Sequence, residues 1–150
     1  YYESIGRGAN LLINMTPDTS GLIPEAEVKR LQEFGMLIQN TFSDPLGETD
    51  NTGKHTATLE IPLKQKQTVS LLVMKEDIQY GQHIRQYKAE ALVDGKWKTI
   101  AEGQSIGVKR IQPVDPVETS RVRLTLFSEG GEPMIKKFAV YRNDPLKKDI

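Results

Sequence analysis

The chain has 150 residues and a mass of 16.9 kDa, the size of one ordinary domain or of a domain with a fragment of another, and short of the roughly 200 residues a complete (β/α)8 barrel needs. Lys+Arg and Asp+Glu balance at 20 each, which speaks against nucleic-acid or membrane-surface binding driven by overall charge. Without cysteine there are no disulfides, thiolate zinc sites or thiol nucleophiles; no apolar run approaches the roughly 18 residues of a membrane span, and no signal peptide opens the chain.

The first element expected is a strand. Ala9-Asn10-Leu11-Leu12-Ile13-Asn14-Met15 is nearly continuous apolar sequence, the pattern of a strand covered on both faces in a parallel sheet. Gly6-Arg7-Gly8 precedes it as a tight turn. Thr16-Pro17-Asp18-Thr19-Ser20-Gly21 follows as a loop. A helix is expected from Pro24, with Glu25 and Glu27 favoured at the positive end of its dipole. Val28, Leu31, Gly35, Ile38 and Phe42 step by three or four residues along one stripe. Residues 1–42 therefore read as one strand-loop-helix unit.

Residues 43–54 carry Pro, two Gly and no apolar pattern, and read as a linker. From 55 to 150 the period changes to two. Strands are expected over Ala57–Ile61, Val69–Met74, Tyr87–Val93, Lys96–Ile100, Ser105–Ile111, Arg121–Phe127 and Met134–Tyr141. Asp94-Gly95 is a two-residue hairpin signal. Short strands with turn signals between them and no helix predict an antiparallel sandwich or barrel.

Few residues carry chemistry. His55 and His83 have no partner at metal-ligand spacing, so they read as solvated loop residues and no metal site is expected. Asn14, Thr16 and Asp18 lie at the C-terminal end of the first strand, where parallel α/β proteins place ligand groups, and are candidate substrate-rim residues. The alternative for them is turn stabilisation. Trp97, the single tryptophan, is a candidate sugar-stacking platform, with packing between Lys96 and Lys98 as its alternative. The 20 acidic residues offer no spacing that singles out a catalytic pair.

Tyr1 through Asp18, with Gly21-Leu22-Ile23-Pro24 and Leu31-Gln32-Glu33-Phe34-Gly35, resembles the end of the catalytic barrel of α-L-fucosidases, glycoside hydrolase family 29. Ala57–Ile61, Lys75–Gln82, Asp94–Trp97, Gly103–Ile111 and Phe138–Tyr141 resemble the discoidin-like, galactose-binding-type sandwich that follows the barrel in many bacterial members. The resemblance implies a mainly β chain: an antiparallel jelly-roll β-sandwich preceded by the last strand-loop-helix unit of a (β/α)8 barrel. It implies retaining hydrolysis of terminal α-L-fucose from glycans, without a cofactor, by two carboxylates on earlier barrel strands. No catalytic residue falls within this chain, which alone is expected to be inactive. Beginning at Tyr1, not Met, it is expected to be a piece of a longer protein, its first strand pairing with an upstream barrel segment. A periplasmic or extracellular location follows from the resemblance alone. The competing reading is a non-catalytic carbohydrate-binding or structural accessory module.

Overall fold

The computed structural model describes residues 1–51 and 55–142. A single 3-10 turn at Ile5–Arg7 precedes helix α1 (Glu25–Phe42). Six strands follow: β1 (Gly47–Asp50), β2 (Thr58–Glu76), β3 (Ile84–Val93), β4 (Lys96–Gly103), β5 (Arg110–Ser128) and β6 (Ile135–Tyr141). All pairings are antiparallel, in the order β1-β6-β2-β5-β3-β4. The expected mainly β architecture is present. None of the described helices is long and apolar enough to cross a membrane.

The sheet becomes a sandwich because β2 and β5 bend. Their register steps from Pro62–Arg121 to Gln67–Thr119, so residues 63–66 stand opposite Ser120 alone. Such an excess of residues on one strand kinks the ladder. The buried Thr119 hydroxyl occupies the corner, 2.9 Å from the Leu92 carbonyl and 2.8 Å from that of Arg121, and accepts the Arg121 N–H at 3.2 Å. Beyond the bend, the first half of β2 and the second half of β5 form one layer with β3 and β4. The other halves form a second layer with β6 and β1. Two contacts record the closure. Tyr87 of the first layer donates its hydroxyl to Gln112 Oε1 of the second at 3.0 Å. Gly47, on the far edge strand β1, packs so tightly on the first layer that a Cβ there would lie 2.5 Å from Ile61 Cγ2.

The main core lies between the layers and contains Leu59, Ile61, Leu72, Met74, Tyr87, Leu124, Phe138 and Val140. Burial of side chains of this size contributes about 1.5–3 kcal/mol each. A second cluster, Leu71, Val73, Ile111, Ala139 and Tyr141, lies on the outer face of the second layer, where Tyr1, Tyr2 and Phe42 cover it. The apolar run at Val69–Met74 is thus explained. Leu72 and Met74 point into the sandwich, and Leu71 and Val73 point under the N-terminal segment.

Several sequence expectations shift. The two strands expected at Ala57–Ile61 and Val69–Met74 are one bent strand. The strand expected at Ser105–Ile111 is largely a loop, and β5 begins only at Arg110. Gly107 has φ +64°, a left-handed conformation that interrupts an extended run. The 43–54 stretch read as a linker contains β1, paired with β6 from Gly47–Val140 onward. The Asp94-Gly95 hairpin forms as expected, with φ of 50° and 75°, the double positive that a type I′ turn requires. Gly8 ends the expected turn in the left-handed region. Ala9–Met15 makes no ladder within the described residues, since a strand exists only where a neighbour supplies its hydrogen bonds.

Candidate functional site

Asn14, Thr16 and Asp18 are all exposed on the segment leading to α1. Asp18 closes the turn that follows. Its Oδ1 accepts the Ser20 N–H at 2.8 Å, the Ser20 hydroxyl at 2.5 Å and the Leu22 N–H at 3.3 Å. The Ser20 side-chain bond, followed by the backbone N–H bonds, holds the Asp18 carboxyl below its ordinary range. Asn14 lines an apolar cleft of about 440 Å³ with Ile13, Met15, Leu31 and Phe34 between this segment and the helix.

The helix forms where its apolar period predicts it, with Pro24 as the residue before its first turn. Yet it has no buried residue. It is joined to the sandwich at one end by aromatic rings: Phe42 lies 5.7 Å from Tyr1 and 5.7 Å from Tyr141 between ring centroids. The expected strand is bare as well, with Leu12 85 % exposed and Leu11 and Ile13 also exposed. Asn14, Thr16 and Asp18 thus lie on an apolar unit without a cover among the described residues.

Trp97 lies apart from them, on β4. The Arg123 guanidinium sits 4.2 Å from its ring centroid, a cation–π geometry. Arg123 is held by Glu90 Oε2, to which Nε donates at 3.0 Å and Nη2 at 2.7 Å, and Lys88 Nζ lies 3.3 Å from Glu90 Oε1. Burial pushes the Glu90 carboxyl up, but hydrogen bonds from Arg123 and Lys88 outweigh it and hold the group below its ordinary range. One face of the half-buried indole is therefore occupied by Arg123.

The best-built polar centre was not singled out from sequence. Glu76, the last residue of β2, is 3 % exposed. Its Oε1 accepts the N–H groups of His83 and Ile84 at 2.8 and 2.9 Å, and its Oε2 that of Gly107 at 3.1 Å. This carboxylate ties the β2–β3 loop to the β4–β5 loop at one end of the sandwich. The signal was its place in the alternation: Leu72, Met74 and Glu76 share one strand face. His83 contributes its backbone N–H, and its ring lies against Gly131. His55 Nδ1 is 3.0 Å from Glu132 Oε2, both exposed. No group of three or more His, Cys, Asp or Glu side chains suited to a metal ion occurs among the described residues.

With the geometry in place, the likenesses to known proteins are specific. No protein-family model matches the chain. A protein of Oryza sativa subsp. japonica assigned as an α-L-fucosidase is 28 % identical over 173 residues, covering 94 % of this chain. Alpha-L-fucosidase 1 of Arabidopsis thaliana is 25 % identical over 175 residues, again covering 94 %. A Bacteroides thetaiotaomicron structure assigned as an α-L-fucosidase superposes with TM-score 0.88 and 38 % identity over 93 % of the chain. The family 29 fucosidase of Ruminococcus gnavus, solved with fucose, superposes with TM-score 0.82 and 26 % identity over 97 %.

The chain is homologous to part of the family 29 α-L-fucosidases.

It spans about a third of the curated relatives, 34 % and 35 % of their lengths, and 32 % and 36 % of the two solved structures. The shared portion includes the α-L-fucosidase-like N-terminal segment as well as the sandwich, because at least 93 % of this chain is covered in each case.

Proposed function

We propose that this chain is the C-terminal portion of an α-L-fucosidase that removes terminal α-L-fucose from glycans by a retaining mechanism, with both catalytic carboxylates in a barrel upstream of it. The observation that carries the reading is the bare strand-helix unit: Leu11, Leu12 and Ile13 are exposed, and no residue of the 18-residue helix behind them is fully buried, although Phe42 at its end packs on the sandwich. Covered by seven further strand-helix units, the same residues become interior. Asn14, Thr16 and Asp18 then stand at the C-terminal rim of the closing barrel strand, the face on which barrel enzymes hold substrate. The sandwich is the support on which that unit is anchored through Phe42 and Tyr141. Such an enzyme works on glycans in the periplasm or outside the cell.

The test is hydrolysis by the full-length protein. It releases L-fucose from an aryl α-L-fucoside with retained anomeric configuration, followed by NMR, and the 150-residue chain alone releases none. Inversion of configuration, absence of activity in the full-length protein or turnover by the chain alone overturns the reading.

A further inference from the structure

A cleft of about 440 Å³ opens on the outer face of the first layer, lined by Gln86, Lys88, Glu102, Gln104, Phe127 and the backbone of Gly103. It is separate from Asn14, Thr16 and Asp18, and Trp97 does not line it.

Irregularities in the ladders build it. The β3–β5 register breaks between Ile84 and Gln86, and the β3–β4 register between Ala89 and Glu90. Breaks of this kind re-aim neighbouring side chains, and Gln86–Lys88 lie between the two. Gly103 forms the wall nearest β4's end, since the Tyr87 ring passes beneath it so closely that a Cβ would lie 2.5 Å from the hydroxyl. Phe127, opposite Gln86 in the ladder, is 50 % exposed, at an outward position where β5 otherwise carries Arg123 and Thr125.

The lining has a distinct chemistry. An aromatic ring lies beside two carboxamides, each able to donate and to accept. Lys88 and Glu102 are cross-strand partners, so the charges in the cleft balance. An anion would gain from Lys88 and be repelled by Glu102 and by nearby Glu90, and a wholly apolar ligand would strand the amides. A pyranose satisfies each group: its C–H face fits the ring, its hydroxyls take the amides, and its size suits the volume.

We propose that this cleft binds one neutral sugar residue of a glycan, stacked on Phe127 and held by Gln86 and Gln104. The proposal does not depend on the hydrolytic reading, which is decided by turnover in the full-length protein. The full chain, labelled with 15N, is titrated with methyl α-L-fucoside, methyl β-D-galactoside and D-glucuronate. At least one neutral glycoside is expected to shift the side-chain amide signals of Gln86 and Gln104 saturably, in the millimolar range. Phe127→Ala weakens that binding about tenfold, and Gln104→Ala, whose side chain is solvent-exposed, weakens it in a chain whose remaining spectrum is unchanged. The absence of saturable shifts with both glycosides overturns the proposal. So does unchanged affinity in the folded variants, or tighter binding of glucuronate than of either glycoside.

Discussion

Glu76 and Gly107 are bonded to each other in both directions: the Gly107 N–H donates to Glu76 Oε2 at 3.1 Å, and the Glu76 N–H donates to the Gly107 carbonyl at 2.9 Å. The pair closes the loop end of the sandwich across 31 residues of chain. Glu76→Ala removes the acceptor for three N–H groups, and orphaned buried donors make this one of the most damaging single changes, about 3 kcal/mol or more. Glu76→Gln keeps one acceptor oxygen and loses the charge, with a smaller effect of about 1–2 kcal/mol. Urea unfolding ranks the two; equal stability of Glu76→Ala and the native chain would remove the carboxylate from its central place.

Two glycine-to-alanine changes are expected to have opposite signs. At Gly47 the added methyl lies 2.5 Å from Ile61 Cγ2 and 3.0 Å from Leu63, so the layers must separate, a destabilisation of about 1–3 kcal/mol. At Gly35, inside the helix, nothing lies within 4 Å, and alanine favours the helix by about 0.5–1 kcal/mol. Thermal unfolding resolves Gly47→Ala. Helical circular dichroism resolves Gly35→Ala, which acts on an element only loosely coupled to the sandwich.

Phe42 holds that element in place. Its ring touches Tyr1, Tyr2 and Tyr141, whereas the rest of α1 has no fully buried residue and makes one further ring contact, between Phe34 and Tyr1. Phe42→Ala is expected to free the helix while the sandwich stays folded, giving faster proteolysis within residues 9–42 and an unchanged core spectrum. Loss of the whole fold in this variant would show that the two parts are one cooperative unit.

The Glu90–Arg123 pair makes stability depend on acidity. Because the Glu90 carboxyl titrates below its ordinary value of 4.5 when folded, its contribution is fully present above pH 4.5 and fades as the pH falls through the lower, folded value. Glu90→Gln is expected to lower stability at pH 7 by about 1 kcal/mol and to flatten the loss between that pH and strongly acidic solution. A slope of stability against pH equal to that of the native chain would show that Glu90 is not its source.

The sequence by itself determined the local elements and their kinship. Period two announced the sandwich strands, Asp94-Gly95 the hairpin, and the three-and-four spacing from Val28 to Phe42 the helix, because each is fixed by neighbours in the chain. The stretch around Ala9–Met15 and the sandwich motifs were enough to indicate α-L-fucosidases. Tertiary structure alone decided that β2 and β5 each serve two layers, that β1 lies within what read as a linker, and that Tyr1 and Phe42 roof the outer cluster. It also decided that Trp97 carries an arginine on one face and that Glu76 gathers three backbone donors. Most of these features join residues distant along the chain, such as Trp97 and Arg123, 26 residues apart, or Phe42 and Tyr141, 99 apart. No local period encodes such meetings; they arise only when bending of the long strands and closure of the layers bring the partners within bonding distance.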